Sequence, residues 1–378
     1  MKKIDTFKFG PFTFSETYEK EKIEKYLVEF QAFYDSIKNI PILPEVTAQL
    51  QVDLIRRSIF GTARIEGNPL SEEEVGKIIS SDVVRKKLND AQIQIDNLKK
   101  VYAFIDNYCP KEIPFVLTEE VIQTIHAIIT KDTDKEDNEP GQYMGGEKYV
   151  GNKAHGGVYR PPKQIDDIKK LMKEYIEWIN AVDVVSLGPL VKGGLAHYYL
   201  GLIHPFGNGN GRTARAIEAL ILKCAGYKYI PEMLSNYYQK NIDEYFISFS
   251  SSERDKKYDN TCFIEFVAKG LVESVKELRD KIYWAIRLLS LRDYFNFLRK
   301  SKTISQRQYN LINIMLNSPA NKFSLKDLFE VELFQAIYKG VSERTARRDV
   351  DKLLKQALII KIKDTDSYMI NMKVLDFS

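Results

Sequence analysis

The sequence predicts a mainly α protein: a helical core beside one isolated β-hairpin, with further helices before it and a small helix-and-ribbon module after it. Three observations carry this expectation. Apolar residues recur at helical spacing over most of the 378 residues. One segment, EKYVGNKAHGGVYRPP, instead places β-formers on both sides of a Gly-rich turn and stops at two prolines. Near the C-terminus, three short helical patterns precede two strand-like runs around a polar turn.

Taken in order, Tyr18 to Ile37 and Thr47 to Ile59 read as helices. NPLSEEEVGKII restarts one, with Ser71 as N-cap and Glu74 completing a capping box. Helical patterns continue through Tyr108, and LTEEVIQTIHAII gives another helix capped by Thr118. The hairpin follows, and because two strands alone are marginal it must pack on helices. Helices resume at IDDIKKLMKEYIEWIN and GPLVKGGLAHYYLGLI. SSSERDKKYDN reads as a polar break, after which CFIEFVAKGLVESVKELRDKI begins a helix running toward Leu298. ISQRQYNLINIMLN, FSLKDLFEV and VSERTARRDVDKLLKQALI then read as three helices, and IIKIKDTDSYMINM as two strands. Together these suggest a winged helix-turn-helix. The expected division is 1–114 for the N-terminal helices, 115–298 for the core and its closing helices, and 299–378 for the C-terminal module.

Composition is that of a globular chain, 44% hydrophobic and 29% charged. Neither a run of about 18 apolar residues nor an N-terminal signal pattern is present, so a cytoplasmic protein without membrane contact is expected. Cys109, Cys224 and Cys262 are scattered, which suits neither a disulfide framework nor a zinc site. The net charge of +4 resides entirely between Ser301 and Ser378, where thirteen Lys or Arg face nine Asp or Glu.

The stretch IHPFGNGNGRTARAIEALI, Ile203 to Ile221, carries the chemistry. It puts Arg212 and Arg215 in the first turn of a helix, where the macrodipole already favours anions. Gly207, Gly209 and Gly211 let the backbone approach a ligand closely. Unpaired first-turn N–H groups with the dipole behind them make an anion site, and the arginines can reach phosphates. The helix is anchored through Ala214, Ile217, Leu220, Ile221 and Cys224, and Gly226 is its expected cap. The string is neither a P-loop, which needs G-x-x-x-x-G-K-[ST], nor a Rossmann fingerprint, since Arg212 stands where the third glycine belongs. His204, beside the loop, is a candidate general base. His126, His155 and His197 read as structural histidines.

HPFGNGNGR followed by TAR resembles the Fic family signature, H-x-F-x-[DE]-G-N-G-R-x-x-R, at every fixed position but one. The resemblance covers roughly Leu117 to Val267 and implies a helical core with a hairpin flap that transfers AMP from ATP to a hydroxyl of a target protein. It implies that His204 is the general base and Phe206 a core anchor. Gly209, Asn210, Gly211 and Arg212 would cradle the α- and β-phosphates, and Arg215 would hold the γ-phosphate. The hairpin 148–159 would clamp the target chain by strand pairing, and Tyr237 would contact adenine. The departure is Asn208, which stands where the family has a carboxylate holding Mg²⁺ or Mn²⁺. A neutral amide is a weaker ligand for a hard dication, so weakened metal binding is expected there.

TARIEGN, Thr62 to Asn68, resembles the family's inhibitory motif [ST]-x-x-x-E-[GN], here Thr62, Glu66 and Gly67. The resemblance implies that Glu66 pairs with Arg215 and occupies the γ-phosphate position. Read on its own, Glu66 is an acid at a helix C-terminus, where the dipole favours cations.

In the C-terminal module Ser342 caps a helix with a stripe of Ala346, Val350, Leu353 and Leu354. Arg344, Arg347, Arg348, Lys352 and Lys355 spread over its remaining face, which makes DNA a candidate partner for residues 342–356. A homodimer is left open. Three functions remain: an autoinhibited adenylyltransferase, a nucleotide-responsive DNA-binding regulator with lost catalysis, and an enzyme that uses another donor or removes AMP.

Overall fold

The computed structural model describes residues 1–80, 88–108, 110–111, 113–133, 138–255, 257–317 and 322–376, which leaves Cys109 outside the described residues; Cys262 is a free thiol. The chain divides into two units, Met1–Arg279 and Asp280–Ser378.

The first unit opens with an element the helical periodicity gave no hint of. Strands β1 (Lys2–Asp5) and β2 (Pro11–Phe14) form an antiparallel hairpin pairing Lys2 with Phe14. It is held by Phe14, fully buried and stacked on Trp178 with centroids 5.3 Å apart. Asp167 accepts three backbone N–H bonds from its turn, from Phe7, Lys8 and Phe9. Helices α1 (Lys20–Ile37), α2 (Pro44–Ile65), α3 (Glu72–Ser80), α4 (Asp90–Asn107) and α5 (Glu119–Ile129) follow. The Ser71–Glu74 capping box forms, with the Ser71 N–H 2.8 Å from Glu74 Oε2, and Thr118 caps α5. Helix α2 starts earlier and ends later than the expected Thr47–Ile59. Pro44 suits the first helical position, and Gly67, at φ +83°, supplies the left-handed residue that ends it.

The expected hairpin is present as β3 (Val150–Asn152) and β4 (Gly157–Tyr159), with Val150 opposite Tyr159. A 3-10 turn, Lys153–His155, joins them. Then come α6 (Ile165–Ile179), α7 (Val182–Val185), α8 (Pro189–Ile203), α9 (Asn210–Cys224), α10 (Leu234–Lys240), α11 (Ile242–Glu253) and α12 (Thr261–Lys300). Helices α8 and α9 are buried on nearly every side and form the centre of the unit. The polar break expected at SSSERDKKYDN begins only at Arg254, because Phe249 and Ser252 are buried and carry α11 through the serines. No helix of the described residues is long and apolar enough to cross a membrane.

In the second unit, α13 (Gln306–Asn317) is followed by β5 (Lys322–Ser324), α14 (Asp327–Glu330), α15 (Glu332–Tyr338), α16 (Glu343–Lys355), β6 (Ile359–Lys361) and β7 (Ser367–Ile370). Two details differ from expectation. FSLKDLFEV does not make one helix, since Phe323 and Ser324 pair with β7, so the sheet has three strands in the order β5-β7-β6. Leu291, Phe295 and Leu298 of α12 belong to this unit's core, together with Phe323, Val350 and Leu353. That is why the division falls inside a continuous helix.

Candidate functional site

The site is built where α8 hands over to α9. Helix α8 ends at His204, which adopts a left-handed conformation (φ 51°, ψ 55°), while its N–H still bonds Leu200 O. Such a backbone is uncommon for a non-glycine residue, and it turns the imidazole into a cavity of about 250 Å³. The loop then descends through Phe206, fully buried and stacked face to face on His126 at 3.6 Å. His126 is structural, as expected. It accepts from the Gly141 N–H and bonds the Asn208 carbonyl at 2.9 Å, tying the loop to α5.

Gly209, at φ +77°, is the N-cap of α9, and its carbonyl takes the first intrahelical bond from the Thr213 N–H. The amides of Asn210, Gly211 and Arg212 precede that bond and form the positive helix end. The side chain of Asn210 braces the loop: its amide donates to Phe206 O and its oxygen accepts from the Phe206 N–H. Its side chain is therefore spent on shaping the cradle, and only its backbone faces the anion position.

Glu66 fills that position. As the C-cap residue of α2 it sits against a partial negative charge. Its carboxylate nevertheless reaches Arg215 Nη2 at 2.6 Å and lies directly against Gly211. Thr62, one turn earlier, accepts from Arg215 Nε at 2.8 Å through its hydroxyl and from Nη2 at 3.3 Å through its carbonyl. Burial works to raise the Glu66 carboxyl, but the guanidiniums of Arg215 and Arg212 outweigh it and hold the group below its usual range. Arg215 is 2% exposed and Glu66 28%, so the acid is the partner that solvent can reach. Two features fix the motif. Gly61 lets α2 approach α10 so closely that a Cβ there would lie 2.7 Å from Ser235 O. Asn68 binds α4 through Ala91 O and Gln94 Oε1.

Burial, then the nearby Lys148 ammonium, push the His204 imidazole down to about 4. Lys148 donates to the carbonyls of Met144 and His204 and is itself lowered to about 8 by burial. His204 is thus a neutral base at neutral pH.

Three expectations need correction. Asn208 does not offer a metal ligand: its Oδ1 already accepts from the Gly209 N–H at 2.6 Å and from Arg212 Nη2 at 3.2 Å. Among the described residues no three His, Cys, Asp or Glu gather to hold an ion. The donor set does not fit Mg²⁺ or Mn²⁺. Tyr237 does not line the cavity. Its ring packs on Phe266 and against Gly270, while Tyr245, Phe246 and Phe249 of α11 line the cavity instead. The chain turns at Asn241 between α10 and α11, and this redirects the aromatic face. Finally, His155 is no core residue. It joins the hairpin to α11 through Asp243 Oδ1 at 2.7 Å and leans on Phe246.

Sequence reasoning also missed a buried polar chain behind Arg215. Glu218 accepts from the Tyr238 hydroxyl at 2.8 Å and pairs with His197 Nδ1 at 2.9 Å, and His197 Nε2 meets the Tyr245 hydroxyl at 2.9 Å. The spacing of Arg215 and Glu218, three apart on α9, was its only trace in the sequence.

Residues 116–222 match the Fic/DOC family model. The chain is 25% identical over 233 residues to protein adenylyltransferase Fic of Aedes aegypti, covering 61% of this chain and 42% of that protein. It is 26% identical over 172 residues to protein adenylyltransferase fic-1 of Caenorhabditis elegans, covering 45% and 32%. The chain thus spans less than half the length of these relatives. Among solved structures, a Fic family protein from Desulfovibrio desulfuricans aligns over 95% of this chain and 97% of its own, with a TM-score of 0.55 and 20% identity. Fic-1 of Caenorhabditis elegans aligns over 68% and 71%, with a TM-score of 0.52 and 20% identity.

Proposed function

We infer that this Fic-domain protein, matched to its family over residues 116–222, is a protein adenylyltransferase held at rest by its own Glu66. The observation that carries the reading is the pairing of Glu66 with Arg215 at 2.6 Å on the helix end of α9. An arginine aimed at an anion position, with a tethered carboxylate already in it, is a polyphosphate site with a built-in occupant. The curated relatives are named protein adenylyltransferases, which supports AMP transfer as the reaction.

In this reading the triphosphate of ATP displaces Glu66. The α9 amides, Arg212 and Arg215 hold its phosphates, while Tyr245 and Phe246 border the same cavity. Neutral His204 takes the proton from a target hydroxyl as that oxygen bonds to the α-phosphorus, and the bond to pyrophosphate breaks. Because Asn208 does not fit a divalent cation, the phosphate charge falls to the two guanidiniums and the helix end. The flap strand β3 borders the cavity through Val150 and Gly151, so a target chain pairing with it would bring its hydroxyl to His204. Incubation with α-labelled ATP tests this. Glu66→Gly should incorporate label into itself at least about tenfold faster than the unaltered protein, and Glu66→Gly with His204→Ala should incorporate none. Equal labelling of all three would refute it.

The second unit supports a separate contact. On α16, Ala346, Val350 and Leu353 are buried, Asp349 binds Arg307 at 2.6 Å, and Arg344, Arg347, Arg348, Lys352 and Lys355 are exposed. We propose that this winged-helix-like unit binds DNA with α16 in the major groove. The full chain should shift duplex DNA with an affinity that falls steeply with salt, and Arg344→Ala with Arg348→Ala should abolish the shift. A shift unchanged in that double variant would exclude it.

A further inference from the structure

A second cavity, of about 230 Å³, shares Tyr149 with the one that holds His204, Glu66 and Arg215. Lys148, which lines this second cavity, donates to the His204 carbonyl at 3.1 Å. The two cavities are therefore neighbours along one segment, the chain entering β3. Phe9, Pro161 and the Tyr149 ring give the second cavity apolar walls, and Lys8 and Arg160 give it charge.

The other ionic groups of the wall are committed. Asp167, 1% exposed, spends both carboxylate oxygens on the N–H groups of Phe7, Lys8 and Phe9. Glu147 pairs with Lys163 at 3.4 Å, and Lys148 donates to the Met144 and His204 carbonyls. Among the described residues no carboxylate is in ion-pair contact with Lys8 or Arg160, both of which are exposed. The backbone under each is nonetheless fixed. The three bonds to Asp167 hold the turn that carries Lys8, and Arg160 follows Tyr159 of β4, with its guanidinium over the Tyr149 ring, 5.6 Å from the centroid. Two fixed cations beside apolar walls complement a carboxylate on a short aliphatic stem.

A strand rises about 3.3 Å per residue, so residues two to four positions apart are about 7–13 Å apart. A chain paired with β3 over the catalytic cavity and continuing past Tyr149 would bring such a residue to the second cavity. We propose that this cavity receives an acidic side chain of the target, Asp or Glu, two to four residues to one side of the modified hydroxyl, and that Lys8 and Arg160 select it. The proposal rests on the reading above, in which the target pairs with β3 and His204 takes the hydroxyl proton.

Nine-residue peptides test it, each with one central Tyr, Ser or Thr in an Ala and Gly background and a single Glu, Gln or Lys at one other position. With α-labelled ATP and the full chain carrying Glu66→Gly, Glu at one position two to four residues from the hydroxyl should give a kcat/KM at least about fivefold above Gln or Lys there. Adding Arg160→Glu should reverse that order, so that Lys exceeds Glu. Merely structural damage would lower all peptides alike. Should Arg160→Glu fail to fold, Lys8→Glu replaces it under the same criterion. No position preferring Glu, a Glu preference that survives the reversal, or an equal loss for all peptides would overturn the proposal. Labelling of the protein itself but of no peptide would overturn it too, because a subsite that reads the chain around the hydroxyl would capture at least one of them. If neither protein nor peptide is labelled, the adenylyltransferase reading itself fails and the subsite falls with it.

Discussion

Glu66 rests against Gly211 at the first turn of α9, so closely that a Cβ on residue 211 would overlap its carboxylate. The space above Gly211 is the space an incoming phosphate needs. Gly211→Ala should therefore exclude both anions. In the Glu66→Gly background it should weaken ATP by about tenfold or more, measured by calorimetry. Unchanged affinity would mean that phosphate binds elsewhere.

Gly61 controls the same contact from a distance. An alanine there would put its Cβ 2.7 Å from Ser235 O and 2.9 Å from Asn236 Cα, both backbone atoms. Overpacking of this kind costs about 1–3 kcal/mol, and it pushes away the helix that carries Glu66. Gly61→Ala should lower Tm and raise self-labelling from ATP together. A lower Tm with unchanged labelling would separate α2 packing from inhibition.

His126 of α5 and His204 at the end of α8 make stability depend on pH. His126 and His204 sit at about 4 in the fold, against 6.5 for a free histidine. Burial is the first cause for both, and the unfolded chain therefore takes up protons that the fold refuses. Their contribution is complete above about pH 6.5, declines as pH falls from 6.5 toward 4, and levels below that. For fully buried His126 it is on the order of 3 kcal/mol. Proton NMR should show both imidazoles titrating near 4 and urea unfolding should weaken across that window. His204 titrating near 6.5 would remove the basis for a base kept ready by burial and Lys148.

Asn208 gives a prediction about metal. With Oδ1 committed to Gly209 and Arg212, chelation by EDTA should leave ATP binding to the Glu66→Gly protein unchanged. Asn208→Asp should make binding depend on Mg²⁺, because a carboxylate supplies the charge an amide lacks. Mg²⁺ strengthening the Asn208 protein tenfold would show that the amide still serves as a ligand.

Much of this arrangement was legible in the sequence because it is local. The capping box at Ser71, the cap at Thr118 and the glycines around Arg212 all act within a few residues, and the spacing of Thr62, Glu66 and Gly67 is read on one helix. What escaped depends on contacts between distant segments. Strands β1 and β2 carry alternating residues around Gly10 and Pro11, but only Trp178 and Asp167 make them a hairpin. Tyr237 and Tyr245 cannot be ranked as cavity residues without knowing that the chain turns at Asn241. The commitment of Asn208 to Arg212, and the line from Glu218 to Tyr245, exist only once four helices meet.

The central claim is that a tethered carboxylate and a nucleotide compete for one helix end and one guanidinium. Titration of ATP into the unaltered protein and into Glu66→Gly, both in EDTA, tests it most directly. Like charges a few ångströms apart repel by several kcal/mol at a partly buried site, so the variant should bind at least about 30-fold more tightly. Equal affinities would show that Glu66 and the phosphates do not share a site, and the account would be wrong.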